Sequence, residues 1–187
     1  MISLLRYFRG IQPLSEGLRD NLEDTLRQKN IDKKDFLLKA GQVCGNIYFV
    51  EKGLLRSFYI KDEKEISSRF SKEGDICVSV ESFLTQQYSQ ENIQALEDTT
   101  VFFLSYDDLQ RIYRDFPEFN KIGRVLLERC VVQSEVWMTA MWTSKSADRY
   151  DWLVRQHPDL PQRVSAKHLA SYLGVTESMI SKVKSKR

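Results

Sequence analysis

Residues 164–187 read VSAKHLASYLGVTESMISKVKSKR, two short helical patterns joined at a glycine. Ser165 is placed to cap a first helix, Ala166–Leu173, on which Leu169 and Leu173 face inward. Ala170 is small where the two helices approach. Gly174 supplies the turn, because a left-handed backbone conformation costs glycine little. Val175 fills the space beneath that turn, Thr176 caps the second helix, and Ile180 and Val183 form its buried stripe at i, i+3. The spacing predicts a helix-turn-helix.

This leaves Glu177, Ser178, Met179, Ser181 and Lys182 exposed around the start of the second helix. A reading helix presents its N-terminal residues to base edges, while flanking cations hold phosphates. The candidate DNA contacts are therefore Thr176, Glu177, Ser178, Met179, Ser181, Lys182, Lys184, Lys186 and Arg187, joined by Ser165 and Lys167 at the head of the first helix. Charge agrees with this placement. Residues 145–187 carry nine Lys and Arg against four Asp and Glu, a net of +5, whereas residues 1–144 carry nineteen against twenty-two, a net of −3. A purely structural helical hairpin has no need of four cations in its last six residues.

Working outward, residues 147–156 read as an amphipathic helix with Tyr150, Leu153 and Val154 apolar, followed by a loop at Pro158 and Pro161. From Pro117 to about Thr143 no proline intervenes and Gly123 is the single glycine, which predicts one helix of some 25 residues. At 1.5 Å per residue it would be about 38 Å long, too long to pack on one small β domain. Its apolar residues (Ile122, Val125, Leu126, Val132, Val136, Met138–Met141) exceed one stripe, so a second copy of the chain is the expected partner. Ser105 caps a short helix over Tyr106–Asp115, with Asp107 and Asp108 in its first turn, where the helix dipole favours carboxylates.

Between residues 31 and 104, short β-branched and aromatic segments alternate with turn signals such as Gly45-Asn46, Lys52-Gly53 and Glu73-Gly74-Asp75. Strands are expected at 47–50, 54–60, 66–70, 76–80 and 101–104, in a small sandwich or barrel. Residues 54–60 do not alternate cleanly, so their faces stay unassigned. Residues 15–28 read as a helix capped by Ser15, with Leu18, Leu22 and Leu26 on one stripe.

Three widely spaced cysteines (Cys44, Cys77, Cys130) and two histidines (His157, His168) offer neither a disulfide framework nor a metal set, and no cofactor is expected. No nucleophile–base pair and no phosphate-cradling glycine loop is evident, so no catalytic residue is assigned and an enzyme is not expected. No apolar run reaches the ~20 residues that span a bilayer, and the N-terminus lacks a cleavage site. A cytoplasmic location without membrane association is the expectation.

The segments YFVEKGLLRSFYI (48–60), SRFSKEGDICVSVESFL (68–84), NIQALEDTTVFFLS (92–105), SADRYDWLVRQHPDLPQRVS (146–165) and LASYLGVTESMISKVK (169–184) resemble the cyclic-AMP receptor protein/FNR superfamily, in particular its Bacteroidetes-type branch. The resemblance covers essentially the whole chain. It implies an α+β fold, with a cyclic-nucleotide-binding-like β-roll and N-terminal helix over 1–105, a short helix and long dimerisation helix over 106–143, and a DNA-binding domain over 144–187. It also implies a winged helix, although the sequence reaches Arg187 directly after the second helix and leaves no room for a wing. Double-stranded DNA, a second copy of the chain and RNA polymerase are the implied partners.

Departures from the family pattern bear on the ligand. Cyclic-nucleotide binders of the family carry a Gly-Glu pair four residues after the glycine matching Gly74, and an Arg for the cyclic phosphate. Here those positions hold Val78 and Ser79, the Arg position falls near Ser89, and no Arg lies between Arg69 and Arg111. A buried phosphate without a guanidinium is poorly compensated, so cyclic AMP is not the expected ligand. Glu81 and Ser82 are candidates for touching an unidentified small molecule, and a scaffold role for the roll is the other expectation. A reading of a different class is a ligand- or protein-binding module whose C-terminal helices no longer bind DNA.

Overall fold

The computed structural model describes residues 2–184, and Lys186 and Arg187 lie outside the described residues. Helices α1 (Ile2–Arg9) and α2 (Glu16–Thr25) precede eight strands: β1 (Arg27–Ile31), β2 (Phe36–Leu38), β3 (Asn46–Lys52), β4 (Leu55–Lys61), β5 (Lys64–Ser71), β6 (Ile76–Cys77), β7 (Asn92–Ala95) and β8 (Thr99–Ser105). Helix α3 (Val80–Thr85) lies between β6 and β7. Then follow α4 (Tyr106–Asp115), α5 (Phe119–Thr143), α6 (Ser146–Gln156), α7 (Leu160–Arg163), α8 (Ala166–Leu173) and α9 (Glu177–Lys184).

The strands form two four-stranded sheets, ordered β1-β8-β3-β6 and β2-β7-β4-β5. Consecutive strands alternate between the sheets, and among the described residues only β4 and β5 follow one another within one sheet. Their two-residue turn, Asp62-Glu63, has φ of 49° and 61°, the pair of positive values that a tight hairpin matching strand twist requires. In β4, Leu55, Arg56, Ser57 and Phe58 are all buried, so both faces of the strand are covered there. A strand covered on both faces has no reason to alternate.

Contacts divide the chain into two compact units, one of residues Met1–Ser57 and Phe70–Glu128, the other of Phe58–Arg69 and Arg129–Arg187. Leu18, Leu22, Val50, Leu55, Ile93, Val101, Ile112 and Ile122 form the core of the first unit. Within it, Gly123 on α5 meets Tyr113 of α4 so closely that a Cβ there would fall 2.7 Å from ring carbons of the tyrosine. Asp108, in the first turn of α4, accepts from Ser105 (2.6 Å), Arg27 (3.0 Å) and Arg111 (2.5 Å).

Several boundaries differ from the sequence expectation. The helix expected over 15–28 ends at Thr25: Leu26 turns extended (ψ 125°) and Arg27 enters β1, where it pairs with Phe103 of β8. The strand expected over 76–80 stops at Cys77, because Val80 opens α3 and buries Phe83 edge-on against Tyr106, with ring centroids 5.4 Å apart. Helix α1, strands β1, β2 and β7, and the single turn α7 around Pro161 are additional elements. Not all the apolar surface of α5 waits for a partner, since Ile122, Ala140 and Met141 are buried within the single chain.

Candidate nucleic-acid interface

Helices α6, α8 and α9 are in mutual contact, and on them Leu153, Leu169, Leu173 and Ile180 are each at most 1% exposed, with Leu160 and Val164 buried beside them in sequence. Ser165 caps α8, its hydroxyl accepting the His168 N–H at 3.2 Å. Gly174 stands at φ 62°, ψ 40°, and its N–H and that of Val175 both reach back to the Ala170 carbonyl. Thr176 accepts the Met179 N–H through its hydroxyl at 3.4 Å and opens α9. The caps, the glycine turn and Ile180 are those the spacing singled out, whereas Val183, expected beside Ile180 on the buried stripe, is only half-buried. Any substitution at Gly174 would cost backbone strain, since a non-glycine residue is disfavoured at positive φ.

The residues that the sequence offers as DNA contacts sit as follows. Thr176, Glu177, Ser178, Ser181 and Lys182 are exposed, and Met179 is half-buried. The Thr176 and Ser178 hydroxyls lie 3.1 Å apart on that surface. Ser165 and Lys167 are exposed at the start of α8. Lys184 departs from the surface row: its Nζ donates to the Val164 carbonyl at 3.3 Å, and burial pushes its pKa below the usual lysine value. That ammonium ties the end of α9 to the loop before α8.

Sequence reading gave no sign of a further contact on α8. In the same unit, Ser67 of β5 donates its N–H to the Ser171 hydroxyl (3.2 Å), and the two hydroxyls stand 2.7 Å apart. Ser67 also donates to the His168 carbonyl at 3.2 Å, and Glu65 lies 3.9 Å from His168 Nε2. The hairpin between β4 and β5 thus touches the first helix of the motif across about a hundred residues of chain. No local pattern signals a pair so far apart.

Within the roll, Ser79 and Ser89 are both buried and their hydroxyls are 3.0 Å apart. Ser89 also donates to the Glu91 carbonyl and accepts the Glu91 N–H, both at 3.0 Å. Glu91, itself buried, adds a carboxyl group to the same segment. Of the two ligand candidates, Glu81 is exposed on α3, whereas Ser82 is buried with its hydroxyl accepting from Cys44 N–H and donating to the Gln87 carbonyl. Among the described residues no group of three or more His, Cys, Asp or Glu is placed to hold a metal ion. No described helix is long and apolar enough to cross a membrane.

A family model describing the cyclic nucleotide-binding domain matches residues 28–116. The chain is 27% identical over 188 residues to the anaerobic regulatory protein of Haemophilus influenzae, covering 91% of this chain and 70% of that one. It is 24% identical over 179 residues to the transcriptional activator protein Anr of Pseudomonas aeruginosa, covering 88% and 72%. Among solved structures, a Crp/Fnr-family transcriptional regulator from Eubacterium rectale superposes with a TM-score of 0.72 at 17% identity, covering 97% of this chain and 87% of that one. FixK2 from Bradyrhizobium japonicum superposes with the same score at 15% identity, covering 86% and 83%. The Anr protein and the Eubacterium rectale protein are named as regulators of transcription, not as enzymes. The chain thus carries a match to the cyclic nucleotide-binding domain, a sequence likeness to transcription regulators and the fold of a Crp/Fnr-family regulator.

Proposed function

We propose that the protein works as a homodimer on a pseudo-palindromic DNA site, with α9 in the major groove of each half-site. The observation that carries this is the exposed row Thr176, Glu177, Ser178, Ser181 and Lys182, on a helix whose opposite side is anchored by Ile180 at 1% exposure. Glu177, Ser178 and Lys182 are the side chains assigned to base edges. Lys167, Lys186 and Arg187 are assigned to phosphates, with Ser165, Thr176, Met179 and Ser181 lining the contact. Lys184 adds field from a position committed to Val164. The half-sites should lie about one helical turn, roughly 34 Å, apart.

The exposed apolar residues of α5 support the two-fold. Leu127, Val131, Val132, Val136 and Trp142 are 45–79% exposed and fall within one half of the helix circumference at about 100° per residue. Residues 1–105 act as the sensor or scaffold, 106–143 as the coupling and dimerisation segment, and 144–187 as the DNA-binding segment, in the cytoplasm and with RNA polymerase as a further partner. Cyclic AMP is not the effector. The positions that the resemblance aligns with the phosphate-binding groups hold Val78, Ser79 and Ser89, and the two serine hydroxyls bond each other. A small molecule of another class, reaching Glu81 or Ser82, remains the alternative to a scaffold.

Selection of bound sequences from random duplex DNA by the purified chain tests the proposal. Enrichment of an inverted repeat supports it. Absence of any enrichment favours the second reading, a binding module whose terminal helices no longer contact DNA.

A further inference from the structure

The first turn of a helix disfavours a cation, since the helix dipole is positive there. Arg149 nevertheless lies near the start of α6 (Ser146–Gln156), and its guanidinium bonds to carbonyls outside that helix. Nη2 donates to the Met141 carbonyl at 2.7 Å and Nε to the Ser144 carbonyl at 3.3 Å, both at the C-terminal end of α5. Nη1 donates to the Leu173 carbonyl at 3.0 Å and approaches the Gly174 carbonyl at 3.5 Å, both at the C-terminal end of α8. Helix C-termini leave carbonyls without intrahelical partners and carry partial negative charge. One cation here caps two of them.

The geometry points to Arg149 as a positioning residue for DNA binding, one that fixes the turn of the helix-turn-helix against the end of α5. Gly174 makes the approach feasible: a Cβ there would meet Nη1 at 3.2 Å, and the left-handed turn presents its carbonyl toward the guanidinium. Helix α9 begins three residues later, so its direction follows from this clasp. Only a planar fork with several donors reaches carbonyls on two helices; a lysine ammonium is a single point. Given the homodimer proposed above, on which this inference rests, the clasp in each protomer sets the distance and angle between the two reading helices.

The test uses full-length Arg149→Lys and Arg149→Gln. Each is titrated with the selected palindrome, with versions whose half-sites are moved by one or two base pairs, and with a single half-site, alongside a thermal melt. The expected result is a folded protein with wild-type affinity for the single half-site. Its palindrome affinity falls roughly 10- to 100-fold, as the second engagement loses its pre-set geometry, and its spacing preference flattens. Wild-type spacing preference in either folded variant overturns the inference. So does an equal loss on half-site and palindrome, which a merely structural role would give, and so does failure of both variants to fold. A wild-type chain without spacing preference sinks the dimeric DNA reading itself, a result separate from any effect of Arg149.

Discussion

Replacing Val132 by serine probes the proposed two-fold without disturbing the protomer. Val132 is 60% exposed on α5, so its side chain contributes little to the core of the single chain. Serine and valine have similar helix propensities, so α5 itself should persist. Fully burying a valine is worth about 1.5–3 kcal/mol, and a side chain with three-fifths of its surface still open has about 1–2 kcal/mol left to gain. A symmetric interface counts the residue twice, giving about 2–4 kcal/mol per dimer. At about 1.4 kcal/mol per factor of ten, the dimer dissociation constant should rise roughly 30- to 700-fold. Sedimentation equilibrium over a concentration series reads this directly. The reasoning fails if Val132→Ser leaves the dissociation constant unchanged, or if the unaltered chain sediments as a 21.9 kDa monomer at every concentration up to tens of micromolar.

Lys182→Ala should weaken the selected site by roughly 1–3 kcal/mol and relax preference at one base pair, measured by titration on selected and scrambled duplexes; equal weakening on both would reassign Lys182 to a phosphate. Millimolar cyclic AMP should leave the melting temperature unchanged, whereas a ligand at 100 times its dissociation constant adds about 2.7 kcal/mol and would be seen at once. The third expectation concerns pH. Burial pushes the Asp108 carboxyl up, but the Ser105 hydroxyl and the Arg111 and Arg27 guanidiniums outweigh it and hold its pKa below the usual aspartate value. A depressed acid stabilises the fold above its unfolded pKa, about 3.9, and that stabilisation is lost as pH falls through the lower folded value. Asp108→Asn should therefore be less stable than the unaltered chain at neutral pH, with the gap closing in acid; a gap independent of pH would refute the ionic reading.

The elements legible in the sequence are those whose ends are written locally. Helix α4 runs over Tyr106–Asp115, as Ser105 and the two following aspartates imply, and α8 runs from its Ser165 cap to Gly174. Strand β1 was illegible for a physical reason: Arg27, Gln28, Lys29 and Asn30 are all exposed, so its place depends on pairing with β8 and not on alternation. Val80 reads as strand by its branching, yet the burial of Phe83 one turn later draws it into α3. The exposed row proposed to read DNA could be picked out in the sequence because a helix-turn-helix is a local motif. The internal use of Lys184 was not, since the carbonyl that takes its ammonium lies twenty residues earlier, outside any helical spacing.

The serine pair joining the hairpin to α8 bears on how this chain can be recombined. Ser67 and Ser171 are 104 residues apart, yet each completes the other's hydrogen bonding. A chimaera that exchanges residues 144–187 for those of a relative breaks the pair unless residues 58–69 travel with them. The exchangeable module is therefore discontinuous, and a library that shuffles the terminal helices alone should recover fewer working regulators than one that moves both segments together.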